Sequence, residues 1–195
     1  MNSSTWGKDG QIVCYNLRMQ EFITKKERNI IIREPKEADV EKVMNFFNKL
    51  LEEDTYILRY GTKVSLEGES NWLQSVLRKI KRKEIVFLQA YFQDQLVGQV
   101  EITKGQYRKR FTGTLHLGVD RDFRGEGIGE ELMKQAEKEA KELNIKLINL
   151  AVYDGNNPAF SLYKKMGYKV FGQLPKAIEF RGQMIDEINM YKNLS

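Results

Sequence analysis

The sequence predicts one α/β domain, and three patterns carry that prediction. From Phe111 to Val119, apolar residues alternate with other residues, as they do in a strand with one buried face. From Ile128 to Leu143, apolar residues recur at helical spacing instead. Similar segments continue through the chain without a linker, an internal repeat or a low-complexity tract. The 195 residues are enough for one domain with a sizeable core.

The remaining elements follow from the same two periodicities. Short apolar runs predict strands, and apolar residues three or four positions apart predict helices. Pro35 ends the first strand, and Gln93 and Asp94 supply a two-residue turn between two others. In chain order, the predicted elements are a strand at 29–33, helices at 40–51 and 66–81, strands at 84–92, 95–103 and 111–119, a helix at 128–143, a strand at 146–152, a helix at 156–166, and strands at 168–174 and 183–190.

A glycine-rich turn joins the strand at 111–119 to the helix that follows it. Residues 124–129 of this turn read Arg-Gly-Glu-Gly-Ile-Gly. Glycines at alternate positions before a helix leave backbone N–H groups uncovered where the helix dipole is positive. The turn is therefore predicted to bind phosphate oxygens, and a helix start without any ligand is the alternative.

Three phosphate-binding patterns compete for this turn. The Rossmann pattern fails because Glu130 stands where its third glycine belongs, and the Walker tripeptide Gly-Lys-Ser/Thr does not occur in the sequence. The third pattern is Arg/Gln-x-x-Gly-x-Gly/Ala after an apolar strand. Arg124, Gly127 and Gly129 match it. This turn resembles the acetyl-coenzyme A loop of the GNAT superfamily of N-acetyltransferases.

A second segment resembles the other signature of that family, Asn-x-x-Ala-x-x-Leu-Tyr-x-x-x-Gly-Phe/Tyr. Asn156, Ala159, Leu162, Tyr163 and Gly167 match it, and Tyr168 fills its last position. Asn156 is also a favourable N-cap, and Gly167 suits the C-terminal end of the helix. The two signatures occur in the expected order and support each other.

The resemblance spans about residues 29–192. It implies the GNAT fold, an α/β fold with a mixed, mostly antiparallel central sheet flanked by helices. The implied order is strand, two helices, three strands, helix, strand, helix and two strands, which agrees with the periodicities. We therefore expect a GNAT acetyltransferase domain at residues 29–195 and an N-terminal extension of unknown role at 1–28, in which residues 19–26 suggest a short helix.

Composition and charge indicate which classes of ligand the protein is expected to bind. The net charge of +5 and pI of 9.1 suit an anionic ligand such as coenzyme A. The basic runs at 78–83 and 108–110 lack the interleaved aromatic residues of a single-strand binder, so solvated surface is favoured over nucleic-acid binding. One cysteine and one histidine argue against a metal site. Without a long apolar run or a signal sequence, we expect a cytoplasmic protein that does not enter membranes.

The resemblance implies transfer of an acetyl group from acetyl-CoA to a primary amine, directly within a ternary complex. The turn would hold the diphosphate of the cofactor through backbone N–H groups, and the backbone of the strand at 111–119 would pair with the pantetheine amides. The cofactor-binding residues expected on this basis are Leu117, Val119, Arg124, Gly125, Gly127, Ile128, Gly129, Glu130, Asn156 and Tyr163.

Tyr163 is the residue that the resemblance assigns as general acid for the leaving thiolate. The base is less defined, because Gly113 and Ala151 stand where family members carry a side-chain base. Glu101 and ordered water are the two candidates that are left. His116, the only histidine, is expected at the surface or partly buried, not in catalysis.

Acidic residues suggest where a cationic acceptor approaches. Glu52, Glu53 and Asp54 follow the first helix, where the family places the border of the acceptor pocket, and a solvated helix end is the alternative. The acceptor is expected to be a polyamine, another small amine, or a protein lysine or N-terminus. A non-catalytic acetyl-CoA sensor and a basic nucleic-acid-binding module are the competing functions. Both a monomer and a homodimer are compatible with the sequence.

Overall fold

Eight strands form one sheet in a computed structural model that describes residues 19–53, 56–57 and 61–194. The strands are β1 (Gln20–Ile23), β2 (Asn29–Arg33), β3 (Ile85–Phe92), β4 (Gln95–Lys104), β5 (Thr112–Val119), β6 (Leu147–Tyr153), β7 (Lys169–Phe180) and β8 (Gln183–Asn193). The helices are α1 (Val40–Glu52), α2 (Leu66–Lys81), α3 (Ile128–Glu142) and α4 (Asn157–Lys165). Short 3-10 turns precede α1 and flank β5.

The sheet is mixed and mostly antiparallel, as predicted. Its strand order is β1-β2-β3-β4-β5-β6-β8-β7. Only β5 and β6 pair in parallel, whereas the other neighbouring strands are antiparallel. A parallel pair needs a crossover connection, and α3 supplies it. The glycine-rich turn therefore lies at the start of the one crossover helix between the two parallel strands.

Helices cover both faces of the sheet. On one face, α3 packs against β3, β4 and β5, and a Cβ atom added at Gly98 would lie 3.2 Å from Leu132 of that helix. On the opposite face, α1 and α2 lie over β3 and β4, and a Cβ atom at Gly118 would lie 3.4 Å from Leu50 of α1. The larger apolar core lies under α3, and smaller buried clusters lie under α1 and α2.

The segment expected as a short helix at 19–26 is a strand instead. Residues 20–23 form β1, which pairs antiparallel with β2 along its whole length, from Gln20 opposite Ile32 to Ile23 opposite Asn29. Gln20 and Phe22 are half-buried and the alternate residues are exposed, which is a strand periodicity. The edge of β2 offers backbone hydrogen bonds, and these outweigh a weak local helical tendency. The described part of the N-terminal segment thus belongs to the sheet.

The closing hairpin is longer than predicted. The sequence suggested that β7 ends at residue 174, but the strand continues to Phe180, with a register shift between Leu174 and Ile178. Pro175 is tolerated because β7 is an edge strand. Arg181 and Gly182 both have positive φ, 52° and 76°, as a two-residue hairpin turn of type I′ requires.

The two basic runs lie at the protein surface. The basic residues 78, 79 and 81 lie in the last turn of α2, where cations interact favourably with the helix dipole. The run at 108–110 is exposed between β4 and β5. Within residues 19–53, 56–57 and 61–194, no group of three or more His, Cys, Asp or Glu side chains has the arrangement of a metal site.

None of the described helices is both long enough and apolar enough to span a bilayer.

A buried ion pair connects the end of β2 to the start of α1. Arg33 Nη1 and Nη2 donate to the two carboxylate oxygens of Asp39 at 2.7 and 2.9 Å, and the Lys36 N–H donates to the same carboxylate at 2.8 Å. Burial alone would raise the pKa of Asp39, but these hydrogen bonds outweigh it and hold the pKa below its usual value of 3.8. The ionised form of Asp39 therefore stabilises the fold.

We expect Asp39→Asn to lower the free energy of unfolding by about 3–5 kcal/mol at pH 7, because it leaves Arg33 buried without its partner. The stabilisation from ionised Asp39 is present above the unfolded-state pKa and is lost as pH falls through the lower folded-state pKa. The loss of wild-type stability below about pH 4 should therefore be smaller in the variant. Urea unfolding at several pH values measures both effects.

Asp94→Asn is the matched control. Asp94 also pairs with a cation, Lys42, but its side chain is exposed. We expect a change of less than about 1 kcal/mol for this variant. Equal losses for the two variants would contradict the role of burial at Asp39.

Candidate active site

The glycine-rich turn adopts a conformation that its glycines make accessible. A short 3-10 turn, Arg121–Phe123, follows β5, and α3 begins at Ile128. Gly125 and Gly127 have φ angles of 76° and 97°, in the region that residues with a side chain rarely adopt. The Gly127 carbonyl accepts the first helical hydrogen bond, from the Glu131 N–H at 3.0 Å.

The amide N–H groups from Gly125 to Glu130 form the central feature of this turn. Within the described chain, none of them donates a hydrogen bond to a backbone or side-chain acceptor. The first N–H groups of any helix lack a partner inside the helix, and here the loop before it adds further ones. The positive end of the α3 dipole lies at the same place. Unpaired N–H groups at the positive end of a helix dipole favour the binding of an anion.

The strands β5 and β6 separate next to this turn. Their parallel pairing covers only Thr112–Thr114 opposite Leu147–Asn149, although both strands continue beyond it. On its other side, β5 remains paired with β4 up to Val119. In the described structure, the second half of β5 therefore has no strand partner on the β6 side. Backbone groups near Leu117 and Val119 are available to an extended ligand there.

Gly129 brings three elements of the site together. A Cβ atom added at this position would lie 3.2 Å from Leu162 of α4, 3.4 Å from Leu117 and 3.6 Å from Val119 of β5. The start of α3, the unpaired half of β5 and the side of α4 are therefore in close contact. Leu162 of the second signature therefore lies against Gly129 of the first signature and against β5.

Tyr163 lies on α4, next to Leu162, with 7% of its surface exposed. Burial raises the pKa of its phenol to about 12, so the group carries its proton throughout the physiological range. Gly167 (φ 89°) ends the helix, and the Tyr168 N–H donates to the Tyr163 carbonyl at 3.0 Å, as in a Schellman cap. Asn156 caps the other end by accepting from the Ala159 N–H at 3.3 Å, as predicted.

Arg124 is held by groups on both sides of it. Its Nε donates to the Val119 carbonyl at 2.9 Å, and its Nη2 donates to Glu53 at 2.7 Å. The Glu53 side chain is 8% exposed, and Glu52 pairs with Lys63. Both acidic residues expected near the acceptor pocket therefore have basic partners. Asp54 lies outside the described residues.

The sheet face on the α1 and α2 side carries a polar row beside the site. Glu101 of β4 lies opposite His116 of β5, and Thr103 donates to the Glu101 carboxylate. His116 is exposed, in agreement with the prediction of a surface or partly buried histidine. Thr114 donates to the Asn149 side chain at 3.2 Å across the β5–β6 pair. Apart from His116, the residues named in this row are half-buried, and the row reaches the strands β6 and β8 on the same face.

Aromatic residues cover the far end of the same sheet face, and no sequence pattern predicted their contacts. Tyr56, between α1 and α2, stacks on Phe180 of β7 at 4.7 Å and donates to the Gly155 carbonyl at 3.2 Å. Tyr153 lies edge-on to Tyr56 at 6.5 Å. Burial and the nearby Glu187 raise the pKa of Tyr153. These contacts join segments that lie about a hundred residues apart, which local periodicity cannot reveal.

Comparison with known proteins agrees with this geometry. The sequence profile of the acetyltransferase (GNAT) family matches residues 45–168. The chain belongs to this family. It is an acyltransferase that uses acetyl-CoA as its acetyl donor. Its fold is the GNAT fold that the two signatures implied.

Named relatives cover most of the chain. An uncharacterized SPbeta prophage-derived N-acetyltransferase of Bacillus subtilis, YokL, is 30% identical over 137 residues, which are 69% of this chain and 77% of YokL. An L-methionine sulfoximine/L-methionine sulfone acetyltransferase of Pseudomonas aeruginosa is 22% identical over 84% of this chain and 94% of its own. YncA of Salmonella typhimurium, solved with its cofactor acetyl-CoA, superimposes with a TM-score of 0.74 at 18% identity, covering 85% and 94% of the two chains.

Proposed function

We propose that this GNAT acetyltransferase transfers the acetyl group to the primary amine of a small acceptor, directly within a ternary complex. The observation that carries the proposal is the row of unpaired N–H groups at the start of α3 beside the unpaired half of β5. This arrangement suits a long ligand with a diphosphate at one end and amides along its length. Coenzyme A has both features.

The residues that would hold acetyl-CoA follow from these positions. The N–H groups from Gly125 to Glu130, including those of Gly127, Ile128 and Gly129, would bind the diphosphate oxygens. The backbone of Leu117 and Val119 would pair with the pantetheine amides. Arg124, which donates to the Val119 carbonyl, and Asn156, the N-cap of α4, would complete the site. When bound, acetyl-CoA supplies the activated acetyl thioester.

Tyr163 is the proton donor of this proposal. Its raised pKa keeps the phenol protonated, and it lies beside Leu162, which contacts the start of α3 and β5. A phenol of such high pKa is a weaker acid than a thiol of pKa about 8.5, so proton transfer to a thiolate is uphill at equilibrium. Tyr163 therefore contributes mainly by placing a hydrogen bond at the leaving sulfur.

Glu101 is the base of this proposal. An alkyl amine of pKa about 10.4 is almost fully protonated at pH 7 and must lose a proton before it attacks a carbonyl. Glu101 is half-buried on the polar sheet face. It would accept that proton either directly from the amine or through an ordered water molecule. Gly113 and Ala151 carry no group that can do so.

The polar sheet face supports a cationic amine as acceptor. Glu101 and Glu187 provide two half-buried carboxylates on it, and Tyr56 and Tyr153 border one end. The methionine sulfoximine acetyltransferase of Pseudomonas aeruginosa is a relative named for a small acceptor. Tyr56 stacks on Phe180 and donates to the Gly155 carbonyl, so these contacts cover this end of the sheet face. Such cover favours a small acceptor over a protein side chain.

Thiol release tests the function directly. Wild-type protein is mixed with acetyl-CoA and a panel of amino acids, polyamines and lysine peptides, and free thiol is followed together with the acetylated product. We expect turnover with small amines, and a turnover about 100-fold lower for Tyr163→Phe at similar cofactor affinity. Tyr168→Phe, whose ring lies 6.1 Å away, controls for packing and should stay near the wild-type rate.

Other outcomes identify the competing functions. Tight binding of acetyl-CoA without turnover on any amine indicates a sensor. Retention on nucleic acid without affinity for the cofactor indicates a nucleic-acid-binding module. An unchanged rate in Tyr163→Phe removes this residue from the mechanism.

Gly127→Val should weaken coenzyme A binding by about 10-fold or more, equivalent to ~1.4 kcal/mol. The new side chain strains the positive φ and crowds Phe22, which lies 3.3 Å from the Cβ position. Isothermal titration calorimetry measures the affinity. Gly182→Val is the control because Gly182 has a similar positive φ of 76° in the distant β7–β8 turn. It should lose stability but keep its affinity, and equal affinities for both variants contradict the loop assignment.

Glu101→Gln should lower kcat/KM for the amine at pH 7 and recover much of this loss near pH 10. At the higher pH a large fraction of the amine is already deprotonated, so a base contributes less. A pH–rate profile of wild type and variant measures this difference. His116→Gln, on the opposite strand, is the control. A loss in Glu101→Gln that does not change with pH would instead indicate a role in binding.

A further inference from the structure

The turn between β1 and β2 contacts the glycine-rich loop at Glu126. The Thr24 hydroxyl donates to Glu126 Oε2 at 3.1 Å, and the Lys25 N–H donates to the Glu126 carbonyl at 3.2 Å. Lys26 Nζ lies 3.2 Å and Arg28 Nη1 lies 3.6 Å from Glu126 Oε1. Both the side chain and the backbone of Glu126 are therefore held by one short segment.

Glu126 is 1% exposed. A carboxylate that deeply buried is costly unless cations and hydrogen bonds compensate it. Lys26 and Arg28 lie at ion-pair distance from Oε1 but form no hydrogen bond with it. The Thr24 hydroxyl donates a hydrogen bond to Oε2. The charge is thus neutralised on the side of the β1–β2 turn.

The position of Glu126 in the loop makes this contact relevant to the ligand. It lies between Gly125 and Gly127, the two glycines with positive φ, and within the row of unpaired N–H groups. Phe22 of β1 also lies 3.3 Å from the Cβ position of Gly127. A flexible glycine-rich loop loses conformational entropy when it binds a ligand, and a loop that is already held loses less.

We infer that Glu126 is a positioning residue: anchored by Thr24, Lys25, Lys26 and Arg28, it holds the glycine-rich loop in its binding conformation before coenzyme A arrives. This inference rests on the proposed function of the loop. It gives the segment around β1 a role in cofactor affinity, although this segment lies outside the part that matches the family profile. Glu126 itself does not touch the reacting atoms.

Glu126→Gln can change the affinity for coenzyme A through two physical effects that act in opposite directions. If the anchoring dominates, Glu126→Gln loosens the loop and weakens the binding of coenzyme A. If the negative charge of Glu126 mainly repels the diphosphate, the same variant binds coenzyme A more tightly. The sign of the change in affinity therefore decides between them.

Glu137→Gln is the matched control. Glu137 lies on α3, the helix that follows the glycine-rich loop, and is 8% exposed. It pairs with Lys192 at 2.6 Å and, like Glu126, has one carboxylate oxygen without a hydrogen bond. The substitution removes the same charge and breaks a similar ion pair far along α3. Any general effect of lost stability should appear in both variants.

The test uses the full chain with coenzyme A as the probe. We expect Glu126→Gln to raise the Kd by about 10-fold, with kcat at saturating acetyl-CoA close to wild type. Amide hydrogen exchange at residues 124–130 without ligand should be faster than in wild type. Glu137→Gln should change Tm and leave both the Kd and the exchange of the loop unchanged.

Unchanged or tighter binding by Glu126→Gln overturns the inference, as do equal losses in the two variants. Should Glu126→Gln fail to fold, Thr24→Val removes the hydroxyl that donates to Glu126 and that accepts from the Lys26 and Arg28 N–H groups. It should shift Kd and loop exchange in the same direction by less. Absence of coenzyme A binding by the wild type counts against the proposed function. In that case, loop exchange still tests the anchoring by itself.

Discussion

The site depends on the early end of the pairing between β5 and β6. Two parallel strands that remained paired would satisfy each other's backbone groups, and no ligand could add to β5. Here the pairing with β6 stops after Thr114, while antiparallel pairing with β4 continues up to Val119. The end of β5 at Val119 then leads into the glycine-rich turn. The unpaired edge of β5 and the unpaired N–H groups of the turn therefore lie next to each other.

Charge around the turn is arranged so that its anion-binding side stays uncovered. Lys49 of α1 donates to both Asp120 and Asp122 at 2.8 Å, so two carboxylates close to the turn share one cation. These contacts raise the pKa of Lys49 and lower that of Asp122. Arg124 is paired with Glu53 in the same way. Backbone N–H groups, which carry no net charge, are thus the main donors presented to a ligand.

The two ends of the site differ in how they are built. In the proposed function, the cofactor side would consist of backbone groups on a strand and at a helix start, which every residue type except proline carries. In the proposed function, the acceptor side would consist of side chains such as Glu101, Glu187 and Tyr153, together with Tyr56 from the segment between α1 and α2. Sites of this kind change specificity through side chains and loops while the scaffold stays constant.

Local periodicity and the two signatures determined the element types from residue 29 onward, the mixed sheet, the glycine-rich loop, and the caps of α4 at Asn156 and Gly167. These features depend on neighbours in sequence, such as side-chain spacing, φ angles and N-cap geometry. Only the tertiary structure decided that residues 20–23 form a strand, that Glu53 faces Arg124, and that Glu126 is enclosed by the β1–β2 turn. Such contacts join residues far apart in sequence, and they arise from packing that no local pattern encodes.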